Sequence, residues 1–255
     1  MKPTRWIVRR RELPAPRLRM ICFAYAGGSA SVFHSWQGLL PADVEVCAVQ
    51  LPGHETRMAE TPLRRMDDLV PPLTRELAEV VADVPFVTFG HSLGAAVSFE
   101  FVRRLRANGG PSPEQMFVSG RRPPHIRVRE RTVHDLPEDE FVAVLTRLNG
   151  TPREVLERPE VLELVLPMVR ADFELSETYR YRPGLPLDCP VTAFAGLSDL
   201  GVPLADVADW ARHTTGAFTL RTLPGDHFFL RSAQDRLLAD IRQQLAVPRA
   251  GVARA

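Results

Sequence analysis

Short apolar runs alternate along the chain with longer segments of helical periodicity. The apolar runs predict strands at residues 20–25, 44–49, 86–89, 115–119, 191–195 and 218–223. Apolar positions at helical spacing predict intervening helices at residues 70–81, 93–107, 204–214 and 232–245. Strands made of continuous apolar residues are typical of a parallel sheet that is buried on both faces. We therefore predict an α/β fold, with a mostly parallel sheet and helices on both faces.

Residues 134–182 interrupt this alternation. Their sequence predicts helices at residues 138–148 and 159–179, and Pro167 is expected to kink or split the second helix. We predict one domain over residues 1–255, with 134–182 inserted as a helical lid over one edge of the sheet. Ligands of open α/β sheets bind at the carboxyl ends of the strands, so such a lid would cover the site.

Composition and charge exclude several classes of protein. The chain has 32 Lys and Arg against 31 Asp and Glu, a net charge of +1, which argues against a strongly basic nucleic-acid binder. Apolar runs are too short for a membrane span, and arginines follow the N-terminus where a signal peptide needs an apolar run. We expect a cytosolic protein that binds neither nucleic acid nor membrane. The three cysteines, Cys22, Cys47 and Cys189, are expected to be core thiols.

The strongest chemical signal is the motif Gly90-His91-Ser92-Leu93-Gly94. It matches G-x-S-x-G, and it lies between a predicted strand and a predicted helix, as a nucleophile elbow requires. Small residues at Gly90 and Gly94 leave room for the neighbouring backbone. We predict Ser92 as the nucleophile.

A serine nucleophile needs a base and an acid that orients the base. His227 follows the last strand and precedes the last helix, which is where this architecture supplies its imidazole. Asp199 follows strand 191–195 and completes the expected order Ser, Asp, His, whereas Asp226 adjoins His227 and is a poor candidate. The other histidines, His54 among them, have no comparable placement.

Backbone N–H groups must stabilise the oxyanion that forms during attack. One is predicted to come from Leu93, directly after the nucleophile. The other is predicted to come from Ala26, with Gly27 as the close alternative, in the turn after the first strand. We find no metal-binding or phosphate-loop motif, and we expect neither a metal nor a cofactor.

The chain resembles the discrete type II thioesterases that accompany polyketide and non-ribosomal peptide synthases. The resemblance spans about residues 18–245. It rests on the segments FAYAGGSA (23–30), QLPGHETR (50–57), GHSLG (90–94), SGRRPP (119–124), RADFELSETY (170–179) and GDHFF (225–229).

This resemblance implies an α/β-hydrolase fold. It also implies hydrolysis of acyl groups from the phosphopantetheine arm of an acyl or peptidyl carrier protein. The arm would belong to the partner, and the enzyme would remove stalled or aberrant units from the synthase. The lid would cover the acyl chamber, with Phe141, Leu145, Met168 and Phe173 as candidate lining residues. Nothing in the sequence demands a dimer, so we expect a monomer. Arginines from Arg121 to Arg131 form a basic run that would attract an acidic carrier protein.

Three alternatives stay open at this point. A general carboxylesterase or lipase has the same elbow and triad. A catalytically silent hydrolase fold used as a binding module would retain the architecture alone. A chain-terminating domain that cyclises its product is the third.

Overall fold

A computed structural model describes residues 4–126, 132–151 and 153–246. Within them, seven strands form one sheet in the order β1-β3-β2-β4-β5-β6-β7. The strands are β1 (Ile7–Val8), β2 (Leu18–Phe23), β3 (Val44–Val49), β4 (Phe86–His91), β5 (Gln115–Ser119), β6 (Val191–Gly196) and β7 (Phe218–Leu223). The pair β1 and β3 is antiparallel, and every other neighbouring pair is parallel. This mostly parallel sheet is the one that the sequence predicts.

The strands from β2 to β6 are buried along their whole length, which explains why they appear as continuous apolar runs. The edge strand β7 is half-buried and its sequence alternates more. Strand β1 was not predicted, because two residues carry no periodicity from which to recognise a strand.

The α-helices lie mostly between the strands in sequence. They are α1 (Trp36–Leu39), α2 (Met66–Ala78), α3 (Leu93–Ala107), α4 (Glu138–Leu148), α5 (Arg153–Leu156), α6 (Pro159–Thr178), α7 (Leu204–Ala208), α8 (Phe229–Ser232) and α9 (Gln234–Ala246). Short 3₁₀ segments occupy Ala30–Phe33, Glu55–Arg57 and Asp209–His213.

Two apolar layers cover the sheet, one on each face. The first contains side chains of α2 and α3 together with Trp210. The second contains Trp36 of α1 and the apolar stripe of α9. Helices α4 to α6, between β5 and β6, form a third cluster of their own around Phe141, Leu166 and Val169. Cys22, Cys47 and Cys189 are buried free thiols, as expected.

Helix α2 differs from the prediction because it begins at Met66 and contains Pro71 and Pro72 in its interior. Met66 and Leu69 are buried and add a turn of apolar periodicity before the predicted start. The prolines are tolerated because Pro71 is exposed and Pro72 half-buried, away from the packed stripe.

Helix α6 is also different, since it continues through Pro167 as one element and is not split. Pro167 is exposed, whereas Leu166 and Val169 on either side of it are buried. Packing on both sides of the proline therefore maintains the helix despite the lost hydrogen bond.

Two further helix predictions need correction. Residues 204–213 form a short α-helix followed by a 3₁₀ segment, not one α-helix. The last helical region begins at Phe229, earlier than predicted, and is interrupted at Ala233 before α9. Among the described residues, no helix is long and apolar enough to cross a bilayer.

The strand order determines where a ligand can bind. Strand β2 lies between β3 and β4, so the chain leaves β2 toward one edge of the sheet and leaves β4 toward the other. A crevice opens at such a switch point, outside the carboxyl ends of the strands. The turn after β2 and the turn after β4 border this crevice, and they contain Ala26 and Ser92.

Phe89→Ala tests the packing of the second layer. Phe89 is fully buried in β4, and its ring lies 4.7 Å from that of Trp36, measured between centroids. We expect the free energy of unfolding to fall by about 3–5 kcal/mol, as for other buried Phe→Ala changes. Urea denaturation measures it, with Leu185→Ala as the control, since Leu185 is 81% exposed. Equal losses in both variants would contradict this packing.

Candidate active site

Ser92 lies at a strained turn between β4 and α3. Its φ is 52° and its ψ is −115°, a backbone conformation that non-glycine residues rarely adopt. The Ser92 N–H donates to the carbonyl of Ser119 in the neighbouring strand, at 2.8 Å. Strain of this kind persists only where the surrounding structure enforces it, and it is concentrated at functional sites.

Gly90 and Gly94 allow this turn to form. A Cβ atom at Gly90 would lie 2.3 Å from the Gly94 carbonyl oxygen, and one at Gly94 would lie 2.1 Å from the Phe23 carbonyl oxygen. Neither separation is sterically possible. Glycine at position 90 therefore lets α3 begin this close to β4, and glycine at position 94 lets α3 approach β2. The two glycines of the motif are therefore required by the backbone geometry.

Asp199 and His227 are brought together by the loops after β6 and β7. The Asp199 Oδ2 atom lies 2.7 Å from His227 Nδ1. Its other oxygen, Oδ1, accepts a hydrogen bond from the Gly201 N–H at 3.0 Å. The Asp199 side chain is 3% exposed and that of His227 is 25% exposed. A buried carboxylate thus fixes the imidazole through Nδ1 and leaves Nε2 for other partners.

The Ser92 hydroxyl makes no hydrogen bond within the part of the chain that the structure describes. The structure therefore joins Asp199 to His227 by a hydrogen bond, but it does not join Ser92 to His227. In enzymes without bound substrate, catalytic hydrogen bonds are often long and shorten only in the complex.

Asp226 and His91 lie beside the proposed base but have other partners. Asp226 is exposed, and its Oδ1 accepts from the Phe228 N–H at 2.8 Å. His91 is fully buried, with its ring centroid 5.2 Å from that of His227 and its Nδ1 2.8 Å from Ser119 Oγ. Burial, and secondly the charge of His227, hold the pKa of His91 well below its usual value. His91 is therefore an uncharged ring packed against His227.

The predicted oxyanion turn follows β2. The Gly28 N–H donates to the Tyr25 carbonyl at 2.8 Å, and Gly27 has φ +78°, which a type II turn requires at its third residue. The Gly27 N–H is already bonded to Asp172 Oδ2 at 2.8 Å. The Ala26 N–H makes no hydrogen bond with any described residue. This difference favours Ala26 over Gly27 as the oxyanion donor, beside Leu93.

The four candidate lining residues belong to the same apolar cluster, formed by α4 to α6. Phe141 is fully buried and its ring packs edge-to-face on Phe173 at 5.5 Å between centroids. Leu145 is buried, while Met168 and Phe173 are half-buried. Phe141 and Leu145 thus serve mainly as packing, and Met168 and Phe173 retain some exposed surface.

Sequence reasoning missed His54 and Asp172. Both are buried, and Asp172 contacts the oxyanion turn as well as His54. One signal was available: Asp172 lies on α6 three residues after buried Val169 and three residues before buried Leu175. A carboxylate on an apolar helix face implies a buried polar partner.

Within the described residues, no cluster of His, Cys, Asp or Glu has the arrangement of a metal site. The chemistry available is that of a serine hydroxyl at an elbow, an Asp–His pair and free backbone N–H groups. That set of groups, at the carboxyl edge of a parallel sheet, is typical of α/β-hydrolases that transfer acyl groups.

Comparison with known proteins agrees with an acyl-transferring enzyme of the α/β-hydrolase class. The thioesterase domain family matches residues 18–245. The gramicidin S biosynthesis protein GrsT of Aneurinibacillus migulanus is 39% identical and aligns over 94% of each chain. The thioesterase PikA5 of Streptomyces venezuelae is 41% identical over 96% of this chain and 86% of its own. The structure of BorB, a type II thioesterase from the borrelidin cluster, superposes with a TM-score of 0.87 at 39% identity, over 96% of this chain and 99% of BorB.

The chain therefore belongs to the thioesterase family, among the type II thioesterases of polyketide and peptide synthesis. The resemblance found in the sequence is confirmed, and so is the α/β-hydrolase fold.

Gly94→Ala tests the close approach at the elbow. Since the added methyl group would overlap the Phe23 carbonyl, we expect a loss of about 3 kcal/mol or more in the free energy of unfolding. Thermal denaturation measures the change. Gly38→Ala is the matched control: Gly38 lies in a helix with open space around its Cβ position, so alanine there should leave stability unchanged or raise it. A Gly94→Ala protein as stable as wild type would refute the geometry.

Proposed function

We propose that this protein hydrolyses acyl thioesters carried on the phosphopantetheine arm of acyl or peptidyl carrier proteins, and so removes stalled or aberrant units from a synthase. The observation that carries the proposal is the Asp199–His227 hydrogen bond at the same sheet edge as the strained Ser92. The relatives add the substrate class, since they are named as thioesterases or as proteins of peptide biosynthesis.

In the acylation step, His227 Nε2 accepts the Ser92 proton while Oγ attacks the thioester carbonyl carbon. Asp199 stabilises the imidazolium through Nδ1. The N–H groups of Ala26 and Leu93 donate to the oxyanion. The carbon–sulfur bond then breaks, and the pantetheine sulfur takes the proton from His227 as it leaves.

In the deacylation step, His227 accepts a proton from water, which attacks the Ser92 ester. Collapse of the second tetrahedral intermediate breaks the bond to Oγ, and His227 returns the proton to Ser92. The products are the free acid and the unchanged enzyme. No step requires a metal or a cofactor.

Helices α4 to α6 act in this scheme as the lid, within the predicted segment 134–182. The acyl chain would lie below it, against Met168 and Phe173, which keep partly exposed surface. The role of the basic run in carrier binding stays a prediction. Arg121 binds Ser176 and Arg122 binds Asp206, while Arg127, Arg129 and Arg131 lie outside the described residues.

Substitution of the triad tests the mechanism. We expect Ser92→Ala to abolish thioester hydrolysis. We expect Asp199→Asn to lower kcat about 10⁴-fold, because the wrong imidazole tautomer would be held. Asp226→Asn is the control, since its side chain bonds the Phe228 N–H and not the imidazole, and it should stay within about twofold of wild type. Steady-state rates on a short acyl thioester measure all three. Near-normal activity of Asp199→Asn would assign the acid elsewhere.

A comparison of substrates tests the function against its rival, a general carboxylesterase. The same acyl group is offered as a carrier-protein thioester, as a small thioester and as an oxygen ester. We expect the highest kcat/KM for the carrier-bound thioester and the lowest for the oxygen ester. Rapid oxygen-ester hydrolysis without preference for the carrier would identify a general esterase. No turnover of any of them would favour a binding module.

A further inference from the structure

A single carboxylate connects the lid helix to the oxyanion turn. Asp172 lies in α6 with its side chain 3% exposed. Its Oδ2 atom accepts from the Gly27 N–H at 2.8 Å and lies 3.0 Å from His54 Nε2. Val169, one turn earlier on α6, packs directly over Gly27, 3.4 Å from the position of a Cβ atom. Helix α6 therefore contacts the turn through the buried carboxyl group of Asp172 and through the side chain of Val169.

His54 has hydrogen-bond acceptors at both ring nitrogens. Its Nδ1 lies 3.1 Å from the carbonyl oxygen of Pro52, and its Nε2 faces the Asp172 carboxylate. A neutral imidazole donates from one nitrogen only, whereas the imidazolium donates from both. Both acceptors beside His54 therefore receive a hydrogen bond from the ring only when the ring carries a proton on each nitrogen.

Nearby charge and burial shift the pKa of His54 in opposite directions. Its side chain is 2% exposed, and burial by itself lowers the pKa of His54. The carboxylate of Asp172 and the hydrogen bonds to Asp172 and Pro52 outweigh burial, and the pKa of His54 is raised above its usual value. Glu55, on the same loop, adds to the effect of Asp172. The charge of Asp172 and the hydrogen bonds around His54 therefore favour the imidazolium form of this ring.

We propose that His54 and Asp172 are a positioning pair, in which the His54 imidazolium orients the Asp172 carboxylate and the carboxylate fixes Gly27, so that the adjacent Ala26 N–H points at the oxyanion. Neither residue touches the substrate. The mechanism described above assigns the pair no role of its own, and this inference rests on the proposed function for its substrate.

The geometry explains why such a device is needed. The Ala26 N–H has no partner among the described residues, so nothing bonded to it fixes its direction. The turn is instead held by its neighbours: Gly28 bonds back to Tyr25, and Gly27 bonds to Asp172. Displacing a preorganised donor by a fraction of an ångström reduces catalysis, because its effect depends on fixed alignment with the developing charge.

The pair also predicts a pH dependence. The pKa of His54 is raised in the folded protein. The hold of the His54 imidazolium on Asp172 is therefore complete at low pH, and it is lost as the pH rises through the pKa of His54. Deprotonation removes one of the two donated hydrogen bonds and weakens the hold on Asp172. We expect kcat to decline on the alkaline side of neutrality, with an apparent pKa above the ordinary value of about 6.5.

Two variants and one control test this inference. Asp172→Asn removes the charge at nearly constant shape, and His54→Gln keeps one donor but cannot ionise. The control is Glu174→Gln, which lies on the same helix and loses ion pairs to Arg64 and Arg65, 2.9 and 2.8 Å long, without contacting the turn. The measurements are kcat and KM for a small acyl thioester between pH 6 and 10, and the rate at which a fluorophosphonate labels Ser92.

We expect Asp172→Asn to lower kcat roughly tenfold to a hundredfold with KM nearly unchanged, somewhat less than the loss of a whole oxyanion donor. His54→Gln should lose the alkaline decline and remain at a reduced kcat throughout. Glu174→Gln should stay within about twofold of wild type. Fluorophosphonate labelling should also slow in Asp172→Asn and His54→Gln, because attack of Ser92 on the reagent develops negative charge on an oxygen at the oxyanion N–H groups.

Equal losses in Asp172→Asn and Glu174→Gln, or an alkaline decline that persists in His54→Gln, would overturn the inference and leave the proposed function intact. A wild-type protein that is labelled at Ser92 but hydrolyses no thioester would overturn the proposed function, and the labelling rates would still decide the role of the pair. A wild-type protein that neither reacts with the fluorophosphonate nor hydrolyses the thioester would overturn both.

Discussion

The close approach of α3 to the end of β2 is the constraint on which the site depends. Gly94 packs against the Phe23 carbonyl so tightly that a single methyl group would not fit. Directly before this contact, Ser92, the proposed nucleophile, adopts its positive-φ conformation. The same contact lies at the end of β2, and the predicted oxyanion turn begins two residues later at Tyr25. In the proposed mechanism, one backbone crossing therefore positions both the attacking oxygen and a donor for the charge that its attack creates.

Two other parts of the structure contribute to the candidate site, the loops after β6 and β7 and helix α6. The loops after β6 and β7 bring Asp199 and His227 together, and the neutral ring of His91 supports His227 from the side of the sheet. Helix α6 supports the oxyanion turn from above through Asp172. In the proposed mechanism α6 belongs to the lid, and this bond would link the shape of the acyl chamber to the alignment of the oxyanion donors.

Sequence alone predicted the elements whose signals are local. Short patterns, each with one physical explanation, predicted three features. These are the nucleophile elbow, the order of Ser92, Asp199 and His227, and the buried parallel strands. What it missed depends on packing between distant segments. The start of α2 and the continuity of α6 through Pro167 are decided by which face is buried, and the pair of His54 and Asp172 joins residues 118 positions apart. A charged residue on an apolar helix face shows that a partner exists, but it does not show which residue that partner is.

The central claim is that Ser92 carries the acyl group between two half-reactions. The most direct test is rapid-quench intact-mass analysis of the protein mixed with an acyl carrier-protein thioester, followed by peptide mapping. The account predicts a transient mass increase equal to one acyl group, located on the peptide that contains Ser92 and absent from Ser92→Ala. Thioester hydrolysis without any acyl-enzyme, or an adduct on another residue, would contradict it.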